Sequence, residues 1–253
     1  MNIEAEHLRY AAGGKFRPSR EIFRDVSLRI AHGECAGVIG REGSGKTTLL
    51  NLLGGLVAPS GGRVLLDGVD VWNDARAAGD VRLRTAFTFQ FPEEQFLSPE
   101  VGEEFTSLLR LRGVPEREAE ERRRLSLVEA GLGGSIDDRR SPFSLSLGES
   151  RRLALALVAS LRPAAAFLDE PTSGLDASGA ACAGRILASL IACGCTVVIA
   201  THDIEFLAGL ATSVIVVEEG GIAARGDAGL VLADAPLLAA HGYALPAVRR
   251  TRR

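Results

Sequence analysis

Two short stretches of this chain carry residues whose types and spacing could do chemistry on a polyphosphate. The first, GREGSGKT from Gly40 to Thr47, fits G-x-x-x-x-G-K-[ST] at every fixed position. Its glycines let the backbone curl so that successive N–H groups point inward at phosphate oxygens. Lys46 is one of only two lysines among 29 basic residues, the other being Lys15. A compact, mobile ammonium can reach β- and γ-phosphates from inside such a loop, whereas a guanidinium is planar with fixed donor directions. Thr47 offers a hydroxyl to Mg2+. Gly40, Gly43, Ser44, Gly45, Lys46, Thr47 and Thr48 are therefore the expected nucleotide contacts. Alone, the motif specifies only nucleoside triphosphate binding, which kinases, small GTPases and motor ATPases share.

The second stretch, FLDE (Phe167–Glu170), ends an apolar run with two carboxylates. Side chains alternate along a strand, so the pair faces different ways. Asp169 is expected to hold Mg2+ through water, and Glu170 to polarise an attacking water beside the γ-phosphate. PTSGLD follows, and a further apolar run, TVVIA, leads to Thr201-His202-Asp203. His202 is expected to contact the γ-phosphate.

The elements that must position these groups alternate along the chain. GECAGVIG reads as a buried strand entering the glycine loop, and KTTLLNLLGGL as the helix leaving it. RVLLDG, TAFTFQF, AAAFLDE, TVVIATHD and SVIVVEEG read as further strands. From about Glu100 to Ser160 the spacing turns helical, with Pro115 near a first helical position. The alternation predicts an α/β fold, a mainly parallel sheet flanked by helices with an inserted helical subdomain.

Composition narrows the function classes. The 253 residues are 46% hydrophobic and 24% charged, as in an ordinary globular protein, and the formal charge of −3 gives no support for nucleic-acid binding. The terminal VRRTRR reads as a solvated end. No apolar run approaches the ~18–20 residues needed to span a bilayer, and MNIEAEHLRY is not a secretory signal, so a soluble chain docking on a membrane partner is expected. Cys35, Cys182, Cys193 and Cys195 lack a zinc pattern and are expected to be small buried thiols.

With the motifs in hand, the chain resembles the ATP-binding cassette ATPases. GREGSGKT, Gln90 in FTFQF, LSLGESRR (Leu145–Arg152), FLDEPTSGLD and His202 occur in that family's order and span nearly the whole chain. The resemblance implies a P-loop NTPase fold with an antiparallel β part at the N-terminus. It implies one domain over residues 1–253: a core of about 1–92 and 160–226, a helical subdomain of about 93–159, and a tail, 227–253. It implies ATP and Mg2+ as ligands, with Glu170 as catalytic base, His202 on the γ-phosphate, and Gln90 sensing Mg2+ and the membrane partner. Tyr10, thirty residues before Gly40, stands where the family stacks a ring on adenine. Ser146, Gly148 and Glu149 would complete the ATP site of a second ATPase subunit, in a homo- or heterodimer that closes and opens with hydrolysis.

FQFPEEQF and SPFSLSLGE are similar to segments of energy-coupling factor ATPases, including the cobalt and nickel importer type. By that resemblance Phe91, Pro92, Gln95 and Phe96 line a groove for a transmembrane coupling subunit, and the protein sits peripherally on the cytoplasmic face of the membrane. Another cassette transporter, a soluble cassette ATPase and an ATP-switched binding module are the alternatives. Only about 105 residues separate the phosphate loop from LSLGE, too few for long coiled-coil arms. Leu147 and Glu149 depart from the family's LSGGQ. Leucine adds bulk where backbone approaches ligand, and glutamate brings charge near a polyphosphate. Leu147→Gly is expected to raise the ATP hydrolysis rate; an unchanged rate would show that the leucine points harmlessly away.

Overall fold

The computed structural model describes residues 1–13 and 20–243. Strand β1 (Ile3–Ala12) pairs antiparallel with β2 (Arg20–Ile30). Five wholly buried residues form β3 (Cys35–Ile39), which runs through the glycine loop into α1 (Lys46–Leu53). β4 (Gly61–Leu66) lies on the other side of β1 and turns into β5 (Val69–Asp70). Asp67 and Gly68 close that hairpin with φ of +50° and +79°, the positive pair that a tight primed turn needs. α2 (Ala75–Arg82) precedes β6 (Thr85–Thr88). Three helices then intervene, α3 (Val101–Leu111), α4 (Glu116–Glu129) and α5 (Leu147–Leu161). The chain continues through β7 (Ala165–Asp169), α6 (Ala177–Ala192), β8 (Thr196–Ala200) and α7 (Ile204–Ala208). It ends with β9 (Ser213–Glu218), β10 (Gly221–Asp227), α8 (Ala228–Ala233) and α9 (Ala235–Ala240).

Two sheets result. An antiparallel sheet has the order β2-β1-β4-β5, and a six-stranded sheet has the order β10-β9-β3-β8-β7-β6. Every pairing in the larger sheet is parallel except β10 with β9. β3, β7 and β8 are buried at every residue and apolar but for Thr196 and Asp169, as strands covered on both faces are. One core lies between the two sheets, where Leu49, Leu50, Leu52 and Leu53 of α1 meet Phe167, Val198, Ile3 and Leu8. The other lies on the opposite face, where Phe105, Leu153, Leu155 and Ile186 cover Leu168 and Ile199. The architecture is the expected α/β P-loop class.

Pro115 stands near the first helical position as expected, at the N-cap of α4 with an extended ψ of 144°. Two local expectations are corrected. The strand expected over TAFTFQF stops at Thr88, because its neighbour, β7, pairs Leu168 with Thr88 and turns away after Asp169. Cys193, at the end of α6, is exposed; the other three cysteines are buried, and burial pushes the Cys35 and Cys195 thiols up to about 12.

Gly54 ends α1 against an aromatic stack. A Cβ there would lie 2.2 Å from Phe87 Cζ, and Phe87 is itself stacked on the buried Phe167 at 4.9 Å between centroids. Gly79, exposed within α2, has nothing within 4 Å of its Cβ position. Gly54→Ala should overpack the core and lower the melting temperature by roughly 2–12 °C. Gly79→Ala should leave it unchanged or raise it by a few degrees, about what one helix-interior glycine costs. Thermal unfolding of the two variants checks the contrast.

Candidate functional site

The parallel strands end together. Val38 pairs with Ala200, Ala200 with Asp169, and Leu168 with Thr88, so the segments that follow β3, β8, β7 and β6 meet at one edge. Ligands in open parallel sheets bind there, beyond the carboxyl ends of the strands. The glycine loop is held without slack: a Cβ at Gly40 (φ +154°) would be 2.3 Å from the Val217 carbonyl oxygen, and one at Gly45 (φ +108°) 3.0 Å from both Ile22 and Phe23. Lys46 opens α1, and its Nζ donates to the carbonyls of Gly40 (2.9 Å) and Arg41 (3.1 Å). The Thr47 hydroxyl donates to Asp169 Oδ2 at 2.6 Å. Asp169 is buried, and that burial raises its carboxyl above the usual range, partly offset by the Thr47 hydrogen bond. Ser44 Oγ is buried inside the loop with no partner among the described residues.

Glu170 leaves the strand in the left-handed region, φ +48°, a strained conformation for a non-glycine residue. Its side chain is mostly shielded, and Oε2 accepts from Thr201 Oγ1 at 2.9 Å and lies 2.8 Å from His202 Nδ1. The His202 ring is 69% exposed. Arg151, buried in the first turns of α5, ties two segments of the site together: its guanidinium donates to the Glu170 carbonyl (2.6 Å) and the Gln90 carbonyl (3.0 Å).

Gly40, Gly43, Gly45, Lys46, Thr47, Thr48, Gln90, Asp169, Glu170 and His202 line one cavity of about 810 Å3. The Thr47 hydroxyl, Asp169 carboxylate and Gln90 amide are hard oxygen donors of the kind Mg2+ takes. They are too few to cage an ion unaided, and among the described residues no group of three or more His, Cys, Asp or Glu could do so. This donor set fits an ion whose shell is completed by substrate phosphates and water.

Other expected residues lie elsewhere. Tyr10 is half-buried on β1, paired with Phe23 and packed on the core; Ile22 lines the cavity instead. Ser146, Gly148 and Glu149 are outside the cavity, at the start of α5. There Ser146 and Glu149 form a capping box, and Glu149 also pairs with Arg140 at 3.1 Å. The Ser146 N–H, then its hydroxyl and Arg140, hold the Glu149 carboxylate below its usual range. Leu147 is half-exposed and leans over Gly174. Of the residues expected at the coupling groove, Pro92 and Phe96 are buried, because the short turn Pro92–Gln95 sends Phe96 inward with Phe105, while Phe91 and its neighbours Phe143 and especially Leu97 are exposed. Gln95 stays local, its Oε1 accepting from the Phe89 N–H.

Sequence reasoning missed Arg151, Thr201's hydrogen bond to Glu170, and the contacts of Tyr243. It also missed buried Glu104, whose carboxylate accepts from the Leu97 and Ser98 N–H groups and so fixes the end of the Gln90 segment. An arginine at a buried position early in an apolar helix was a usable signal. Lysine keeps the charge but cannot span two carbonyls with one planar fork. Arg151→Lys should lower the nucleotide hydrolysis rate about tenfold or more, as small displacements of catalytic groups do, with ATP affinity within about twofold. Steady-state hydrolysis with a binding titration checks the split.

A family model described as ABC transporter matches residues 23–173. The chain is 36% identical over 223 residues to the energy-coupling factor transporter ATP-binding protein EcfA of Methanothermobacter thermautotrophicus, covering 88% of this chain and 71% of that one. It is 36% identical over 248 residues to the cobalt import ATP-binding protein CbiO of Rhodobacter capsulatus, covering 97% and 86%. Among solved structures it resembles cbiO1 of Clostridium perfringens, part of the ABC transporter complex cbiONQ (TM-score 0.76, 28% identity, 94% and 93% covered). It also resembles a dimeric ATP-binding cassette in a post-hydrolysis state with ADP and Pi (TM-score 0.80, 25% identity, 89% and 98% covered). A phosphate loop, an Asp-Glu strand tip and a histidine at one sheet edge, in a chain with these relatives, identify it as a member of the ABC transporter family and an ATPase.

Proposed function

We propose that this chain is the ATP-hydrolysing subunit of a membrane importer of the energy-coupling factor type, taking up a vitamin or a transition metal ion. It works as a head-to-tail dimer, with a second copy or a related ATPase, that sandwiches nucleotide between cassettes. The observation that carries the reading is the position of Ser146, Gly148 and Glu149: they cap α5 outside their own chain's cavity, leaving them to face another's. The names of the relatives EcfA and CbiO support the importer class. Among the described residues no helix is long and apolar enough to cross a membrane, which suits a subunit held peripherally at the cytoplasmic face by a transmembrane partner.

In this mechanism the loop N–H groups and the start of α1 receive the phosphates, and Lys46 exchanges the Gly40 and Arg41 carbonyls for phosphate oxygens. Thr47, Asp169 and Gln90 would hold Mg2+, which when bound neutralises phosphate charge. Glu170 accepts the proton of the attacking water, steadied by Thr201, while His202 swings from Glu170 to the γ-phosphate. Tyr10 meets the adenine; its pairing partner Phe23 already touches the loop at Gly45. The single cassette divides into a core of about 1–92 and 160–226, a helical part of about 93–159 that moves with α5, and the tail 227–253. Phe91, Gln95 and exposed Leu97 meet the coupling subunit, with Pro92 and Phe96 shaping that surface from beneath.

Glu170→Gln keeps the shape and loses the base. It should bind ATP, hydrolyse it at least about a hundredfold more slowly, and accumulate as a dimer in light scattering. Purified from detergent-solubilised membranes, the trapped dimer should carry a multi-span membrane subunit. Wild-type turnover would remove Glu170 from its role, and a trapped dimer lacking any membrane partner would assign the chain to the soluble cassettes.

A further inference from the structure

The chain's last described residues fold back onto its own phosphate loop. Leu238 of α9 is fully buried, and its carbonyl accepts from the Tyr243 N–H at 2.9 Å, so the tyrosine is pinned five residues further on. Gly242, at φ +83°, makes the turn. The Tyr243 hydroxyl then does two things at once: it accepts from the Gly40 N–H (2.8 Å) and donates to the Gly40 carbonyl (2.9 Å). A second tie runs the other way, from Arg41 Nη2 to the carbonyl of Ala240 at 2.6 Å. His241, between them, is buried and lines the same cavity as Lys46 and Thr47. Its Nδ1 faces the Leu237 carbonyl at 2.8 Å, an oxygen that can only accept, so Nδ1 carries the proton.

From these contacts we infer that Tyr243 is a positioning residue for nucleotide binding, holding the first peptide of the phosphate loop in its receiving conformation. The physical reason lies in Lys46. In the free chain the Gly40 carbonyl accepts from both Lys46 Nζ and Tyr243 Oη. Two of the three Lys46 donors rest on carbonyls, so reaching phosphate draws the ammonium away from them. With Tyr243 present the Gly40 carbonyl keeps an undivided donor; without the hydroxyl it depends on the one that phosphate competes for. A polar group left unsatisfied is costly, and that cost falls on the bound state more than on the free one. Burial raises the hydroxyl's pKa, so it remains a donor across the working range. The tail thereby tunes affinity rather than chemistry: Tyr243 touches Gly40, not the carboxylate that takes the proton.

The inference rests on ATP binding at the phosphate loop, and the test separates the two. Calorimetric titration of Mg-ATP into the full chain and into Tyr243→Phe gives each Kd, with kcat measured at saturating ATP and the melting temperature measured without nucleotide. Tyr243→Phe should raise Kd about three- to tenfold, the usual worth of one hydrogen bond, and leave kcat within about twofold. Tyr243→Ala, which also removes the ring, should raise Kd at least as far and lower the nucleotide-free melting temperature as well. A Kd unmoved in Tyr243→Phe, whatever happens to the melting temperature, makes the contact merely structural and overturns the inference. A fall in kcat with Kd unchanged also overturns it. A wild-type chain that takes up no ATP would overturn the nucleotide reading and this inference with it.

Discussion

Val38 pairs with Ala200 and Ala200 with Asp169, in parallel register, and this alignment of strand ends is what the chemistry of the chain depends on. A parallel ladder leaves all the carboxyl ends on one side, so loops distant in sequence leave the sheet as neighbours. The glycine loop after β3, Asp169 and Glu170 at the tip of β7, and Thr201 and His202 after β8 meet only because these strands stop within a residue of one another. A one-residue slip would also turn each strand's side chains to the opposite face. In strands buried on both faces, that slip would force every packed side chain to be rehoused.

Three groups around the cavity are held by other parts of the protein. Lys46 rests on two carbonyls, Thr47 on Asp169, and Glu170 on Thr201 and His202. The partners differ: Asp169 and Thr201 are buried, whereas His202 is largely exposed. Two anchors hold the frame. Arg151 ties the backbone at Glu170 to that at Gln90, and Tyr243 bridges the N–H and carbonyl of the loop's first residue.

The start of α5 has a different logic. Its capping box and the Arg140 pair satisfy Ser146 and Glu149 within the chain, so this helix end is closed by the chain's own side chains. The same helix carries Arg151 one turn later, which links its first turns to the backbone at Glu170 and Gln90. Nearby, Glu104 holds the backbone of Leu97 and Ser98, shaping the exposed surface that includes Leu97 and Phe143.

By itself, the sequence determined the phosphate loop, the Asp-Glu strand tip, the position of His202 and the α/β alternation. Each is written in consecutive residues or in a local period, because a loop that cradles phosphate needs its own glycines and a buried strand its own apolar run. Only the tertiary structure decided which side chains reach those segments from afar. Tyr243 lies on Gly40 across 203 residues and Arg151 on Gln90 across 61. It also turned Phe96 inward and Leu97 outward, left Tyr10 beside the cavity rather than in it, and exposed Cys193. Such contacts depend on where a helix ends and how a turn points its next residue, and that direction comes from packing between elements, which no local pattern encodes.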